Sequence, residues 1–323
     1  MAVEKKIKAY SQYVKVAAVV IFAVLMLMTI HREPELPQEV KENTIDIDFR
    51  LIGGPGPDNA WNISDTGDGY AIIGDTASFG AGGTDMYLIK TDYDGNLLWT
   101  RTFGGPGDDS GVSVINYGGL LIAAGSRTSS AGDTDAYVVM VDENGDMMWE
   151  RMFGGGDFDQ IYSAAPVLDG GIVLAGYTSS FSGGSRSNVY ILKIDPMGEI
   201  VWEKNYGGPG WDTAYDIIEN SSGGFAVTGY TDSGPLGHND MFLLLTDSYG
   251  NSISASYYGG SRLDRGLSLI ETSDGGYLLQ GKTTSFISKG MGWDMLLIKT
   301  DSAGNSLWSR ALPASEAENG RSI

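Results

Sequence analysis

A period of about fifty residues runs through this chain, and such a period decides an architecture before any single residue does. Gly-Gly pairs mark it at Gly53-Gly54, Gly104-Gly105, Gly154-Gly155, Gly207-Gly208 and Gly259-Gly260, spaced 51, 50, 53 and 52 residues apart. A second marker is the stretch from Asp85 through Tyr87-Leu88-Ile89-Lys90, Asp92 and Gly95 to Trp99. It returns at Asp135, Asn188, Asp240 and Asp294, ending at Trp149, Trp202, Ser254 and Trp308. The units run 53–103, 104–153, 154–206, 207–258 and 259–311. Residues 312–323 align with the opening of a sixth that has lost its glycines.

Each unit holds four short runs of β-branched and aromatic residues separated by turn signals, the pattern of strands. In the second unit these are Val112–Ile115, Leu120–Ala124, Tyr137–Val141 and Met147–Phe153. The third gives Ile161–Val167, Ile172–Ala175, Tyr190–Ile194 and Ile200–Tyr206. Gly-Gly or Asp-Gly joins the first two strands as a hairpin. Asp-x-x-Gly (Asp92/Gly95, Asp142/Gly145, Asp195/Gly198, Asp247/Gly250, Asp301/Gly304) joins the last two, the Asp accepting backbone N–H bonds and the Gly supplying positive φ. Four antiparallel strands per repeat predict an all-β fold, a β-propeller of four-stranded blades. An extra strand over Ile45–Ile52 matches the fourth strand of a unit. Five blades, or six with the last assembled from both termini, both fit, and the stop at Ile323 inside a first-strand pattern suggests a chain that continues.

These motifs resemble the Gly-rich propeller repeats of secreted archaeal and bacterial surface proteins. The resemblance covers 45–323 and implies a fold and a surface location, with little about activity. Quinoprotein propellers share a similar Asp…Gly-x-x-x-Trp turn, here Asp92, Gly95 and Trp99, and sialidases an Asp-x-Gly-x-x-Trp box. Both differ by one residue in spacing, and in both the motif is structural.

The first 44 residues are of another kind. Residues 1–15 are basic, and 16–30 form the apolar run VAAVVIFAVLMLMTI. Fifteen residues fall short of the roughly 20 that span a bilayer, but Tyr13, Val14 and a snorkelling Lys15 extend the run. With no small-residue cleavage site after it, an uncleaved transmembrane signal-anchor is expected ahead of a cleaved signal peptide. Its lysines place the N-terminus in the cytoplasm and the remainder outside the cell membrane. Residues 31–44, polar and with two prolines, read as a stalk. The net charge of −20 opposes nucleic acid and anionic lipid surfaces. With no Cys, disulfides, thiolate metal sites and Cys nucleophiles are excluded.

Strand direction alternates, so connections after second and fourth strands emerge on one face and the tight turns on the other. The loop-rich face is where binding is expected. Its connectors carry Trp61, Phe158, Trp211, Arg262 and Arg265. The second loop set carries Phe79, Arg127, Phe181, Arg186, His238, Phe286, Lys289 and Trp293. Trp61, Phe158, Trp211, Arg262, Arg265, Phe286 and Trp293 are the candidate ligand contacts, aromatics suited to sugar rings or a protein partner. Trp61 and Trp211 also suit packing between blades. The recurring Asp58, Asp109, Asp159, Asp212 and Asp264 stand at the start of the axial strands. A ring of like charge asks for compensation, either from a hard cation such as calcium or from N–H donors of each connector. His31 and His238 are the only histidines, and no unit breaks the repeat conspicuously, so no catalytic residue is singled out. The expectation is a membrane-anchored, extracytoplasmic, non-catalytic binding or adhesion module for a glycan or protein. A propeller hydrolase, a quinoprotein-like oxidoreductase and a structural envelope component are the alternatives.

Overall fold

The computed structural model describes residues 51–312 apart from 130–131, 185 and 287–291. The signal-anchor, the stalk and the stub 313–323 lie outside the described residues, as does most of the extra strand; Leu51 and Ile52 carry no strand pairing. Twenty strands form five separate antiparallel sheets of four. Blade one is β1 (Asp58–Asp65), β2 (Gly69–Thr76), β3 (Asp85–Asp92) and β4 (Leu97–Phe103). Blade two is β5 (Asp109–Tyr117), β6 (Leu120–Thr128), β7 (Thr134–Val141) and β8 (Met147–Phe153). Blade three is β9 (Asp159–Pro166), β10 (Ile172–Thr178), β11 (Asn188–Ile194) and β12 (Ile200–Tyr206). Blade four is β13 (Asp212–Glu219), β14 (Phe225–Thr231), β15 (Asp240–Thr246) and β16 (Ser252–Tyr258). Blade five is β17 (Asp264–Glu271), β18 (Tyr277–Thr283), β19 (Asp294–Thr300) and β20 (Ser306–Leu312). Within each sheet the strands lie in chain order, as hairpin-length connections dictate.

The core lies between blades. Second and third strands are the most buried of each blade, as in β11, where every residue is buried. One cluster joins Ile122, Val138 and Met140 of blade two to Ile161, Leu174 and Leu192 of blade three. At the periphery each outer strand clasps the next blade. Trp99 Nε1 donates to Glu143 O at 3.0 Å and Trp149 Nε1 to Pro196 O at 3.1 Å, both carbonyls of the following Asp-x-x-Gly turn. Arg101, stacked 5.5 Å from the Trp99 ring, donates to Asn144 O and Gly145 O of the same turn.

The turn chemistry is local. Asp92 Oδ1 accepts from Asp94 N and Asn96 N at 2.9 and 2.8 Å, and Gly95 takes φ 75°.

The clasp has no counterpart at the ends of the series. Trp308 repeats the stack with Arg310, 6.0 Å away, but no carbonyl among the described residues meets its Nε1, and β20 is almost wholly exposed. Strand β1 is likewise far more exposed than β5. Successive blades pack from one to five, and among the described residues no comparable packing joins blade five to blade one. Trp149→Phe keeps the ring and removes one hydrogen bond, so urea denaturation is expected to show a loss of about 1 kcal/mol. Trp308→Phe should change little. A loss there equal to that at Trp149 would reveal a further turn docked on it.

Candidate functional site

The five first strands face a common axial channel of about 640 Å³, lined by residues of every blade. Each of these strands carries a bulge at the same place. Trp61, Val112, Tyr162, Tyr215 and Leu267 are the unpaired residues, each skipped in the pairing with the second strand. A bulge re-aims its extra side chain, and all five line the channel. The result is an aromatic wall. Tyr162 and Tyr215 lie 4.9 Å apart between ring centroids, continued by Tyr177 at 6.1 Å from Tyr162 and Tyr230 at 5.9 Å from Tyr215. Trp61 donates through Nε1 to Asp75, which Asn59 also bonds.

The residues after the bulges stitch the blades around the axis. Asn62 Oδ1, Ser113 Oγ, Ser163 Oγ and Asp216 Oδ2 accept from Val114 N, Ala164 N, Ile217 N and Leu269 N of the next blade. Asp216 is the one acid in this position, where the other blades have Asn or Ser. Desolvation pushes its carboxyl above the ordinary range, against the opposing pull of Leu269 N, Ser163, Ser268 and Ile217 N. Each oxygen takes one hydroxyl and one backbone N–H, at 2.9–3.1 Å.

At the mouth on the loop-rich face, blade five departs from the repeat three times. Arg265 stands where the others have Asn59, Ser110, Gln160 and Thr213, and Lys282 where they have Asp75, Ser126, Tyr177 and Tyr230. Trp293 replaces Thr84, Thr134, Ser187 and Asn239. The three meet in space: the Arg265 guanidinium lies 4.5 Å from the Tyr230 ring and 5.6 Å from Trp293, and Lys282 Nζ lies 4.7 Å from Trp293. One unit therefore does break the repeat, contrary to the reading of the sequence. Three substitutions at scattered positions converge only when folded.

Of the seven candidate contacts, Trp61 lines the channel, and Arg265 and Trp293 stand beside Lys282, which also lines it. The others stand apart. Phe158 is exposed, Arg262 is exposed beside Ser285, and Trp211 stacks 5.8 Å from Arg186. Phe286 lines a separate depression of about 230 Å³ with Leu236 and Tyr257. In the second loop set, Phe79 and Phe181 pack on Tyr87 and Tyr190, and Arg127 on Tyr137. His238 is exposed. Lys289 lies outside the described residues. Tyr162, Tyr215 and Asp216 escaped sequence reading, although an aromatic immediately before an Asp or Ser in the first strand was a visible signal.

The repeated acids are held by their own connectors. Asp264 Oδ2 accepts from Gly260 N at 2.8 Å and Ser285 Oγ at 2.6 Å, and its Oδ1 from Thr283. Asp58, Asp109, Asp159 and Asp212 accept from Gly54, Gly105, Gly155 and Gly208 in the same way. They sit on five separate blades, and no group of three or more His, Asp or Glu among the described residues is placed to hold a metal ion. The donor set is that of a turn, so calcium finds no shared cage in these five side chains. Asp109, Asp159 and Asp264 instead each meet an acid of the preceding blade, and Asp212 meets Asn188. A Cβ on Gly104 would strike both Asp85 and Asp109, one on Gly154 both Asp135 and Asp159, and one on Gly207 both Asn188 and Asp212. Burial, then the neighbouring acid, raises the carboxyls of Asp135, Asp85 and Asp240.

No family model matches the chain, and no curated protein matches it. Solved structures do. The chain is similar to the WD40 domain of Neurospora crassa Pan2, at 12% identity and TM-score 0.52, over 80% of this chain and 66% of that one. It is also similar to a protein of unknown function from Bacteroides caccae (12% identity, TM-score 0.44, 79% and 82% covered). A third is the β-propeller domain of the Trilobed protease from Pyrococcus furiosus (10%, 0.44, 79% and 70%). With five four-stranded sheets around one channel, the likeness to the WD40 domain identifies the repeats as the blades of a β-propeller.

Proposed function

We propose that the chain is a membrane-anchored, extracytoplasmic β-propeller that binds a glycan at its axial channel without transforming it. The observation that carries this reading is the bulge ring, which spends one residue per blade on lining the channel and makes three of the five Trp or Tyr. Flat aromatic faces suit the apolar faces of sugar rings. A volume of about 640 Å³ falls in the range of small-molecule sites, roughly 300–1,000 Å³, and admits one or two saccharide units but no protein element. The enzyme reading has Asp216 as its acid, yet both oxygens of that carboxylate are engaged by four scaffold donors, which makes it a stitch between blades. The anchor agrees with a surface role through the sequence alone.

The test is binding of a polysaccharide panel to the full chain in detergent, followed by thermal shift and titration. Tyr215→Ala is expected to weaken the best ligand about tenfold, the scale of one well-packed aromatic contact. Equal binding by Tyr162→Ala, Tyr215→Ala and the parent would remove the channel from the reading.

A further inference from the structure

We infer that the ligand is an acidic saccharide, a uronic-acid type of sugar whose carboxylate is read by blade five at the channel mouth. This rests on the glycan reading above and deepens it. Arg265 and Lys282 are two cations set against a single Trp293 ring, in a chain of net charge −20. No carboxylate among the described residues forms an ion pair with Arg265. Its guanidinium is underused. Nη2 donates to Asn239 Oδ1 at 3.0 Å, Nε is buried without an acceptor, and Nη1 has none among the described residues. Tyr230 and Trp293 hold the guanidinium plane, so an incoming carboxylate meets a fixed, weakly hydrated donor edge. The same Trp supplies a face for the sugar ring.

An acidic peptide offers the charge but no sugar ring to lay on Trp293, and a neutral sugar offers the ring and hydroxyl acceptors but no negative charge for Arg265 and Lys282. The two features together select the acidic sugar.

The experiment titrates the full chain with galacturonate, glucuronate and mannuronate oligosaccharides, their carboxyl-reduced counterparts and polyglutamate. Expected are at least tenfold tighter binding of one uronate than of its reduced form, and erosion of that preference by added salt. Arg265→Gln should abolish the preference with melting unchanged. Lys282→Gln, reducing it several-fold, serves if Arg265→Gln does not fold. Equal binding of uronate and reduced sugar would overturn the inference and leave the glycan reading standing. Binding of polyglutamate alone, or of nothing in the panel, would overturn both.

Discussion

Gly176→Ala is expected to lower stability by about 4 kcal/mol and the melting temperature by roughly 10 °C. The cause is steric. Gly176 pairs with Ile161 beside the bulge at Tyr162, and the bulge drives the carbonyl of Gln160 against the glycine, so that a Cβ there would overlap backbone oxygen. No side chain can swing away to relieve it; the bulge itself must open. The same glycine recurs in every blade, Gly74, Gly125, Gly229 and Gly281 meeting the carbonyls of Asn59, Ser110, Thr213 and Arg265. Gly156→Ala is the control, since nothing lies within 4 Å of its added methyl, and should change stability by no more than about 0.5 kcal/mol. Because the bulge aims Tyr162 into the channel, the Gly176 variant should also bind ligand poorly at temperatures where it remains folded. A Gly176→Ala protein as stable as the parent would mean that the bulges are dispensable.

This glycine shows where sequence reading reaches and where it stops. The hairpins and Asp-x-x-Gly turns were legible because their chemistry is local: Asp92 bonds residues two and four positions on. Strand ends followed nearly as well. In β12 the apolar run Ile200–Tyr206 is the strand itself. The bulges were not legible, because which residue is skipped depends on pairing register. Within one strand Gly176 is only a small residue in an apolar run. The convergence of Arg265, Lys282 and Trp293 was hidden for a related reason. They lie 17 and 11 residues apart in sequence, at unrelated positions of the repeat, and the hairpin β17–β18 with the loop after it brings them to one mouth. The Asp58 series presents the opposite case. Strict repetition marks a shared role without naming it, and the connector N–H and hydroxyl donors do.

The blade junctions supply the last expected result: Asn188→Asp should destabilise the chain at neutral pH and leave it unchanged in acid. In three junctions an Asp faces the connector acid of the next blade, as Asp135 faces Asp159; in the junction between blades three and four Asn188 faces Asp212. Oδ1 of Asp135, Asp159 and Asp240 is buried with no donor, as is Asn188 Oδ1. A protonated carboxyl or an amide turned to present Nδ2 supplies a donor in the same volume, so Asn188 does at every pH what its counterparts do only when protonated. The titratable groups around Asp135 are Asp159 and Asp133; Asp85 faces Asp109 and Arg127, and Asp240 faces Asp264 and Asp232. Their folded pKa values are raised, so the stability they contribute is fully present below the ordinary carboxylate value and is lost as pH rises through the raised one. For Asn188→Asp the loss at pH 7 is bounded at about 4 kcal/mol, the cost of protonating a carboxyl of pKa about 3.9 there, and about 2 kcal/mol is expected. Asp135→Asn should do the reverse, gaining about 1 kcal/mol at pH 7 and nothing near pH 4. Urea denaturation of both variants and the parent from pH 4 to 8 measures this. Other acids with lowered pKa values, such as Asp274 bonded by Thr272 and Lys299, weaken the parent in acid, so the difference between variant and parent carries the result. A constant difference across that range would show that the junction acids hold no proton.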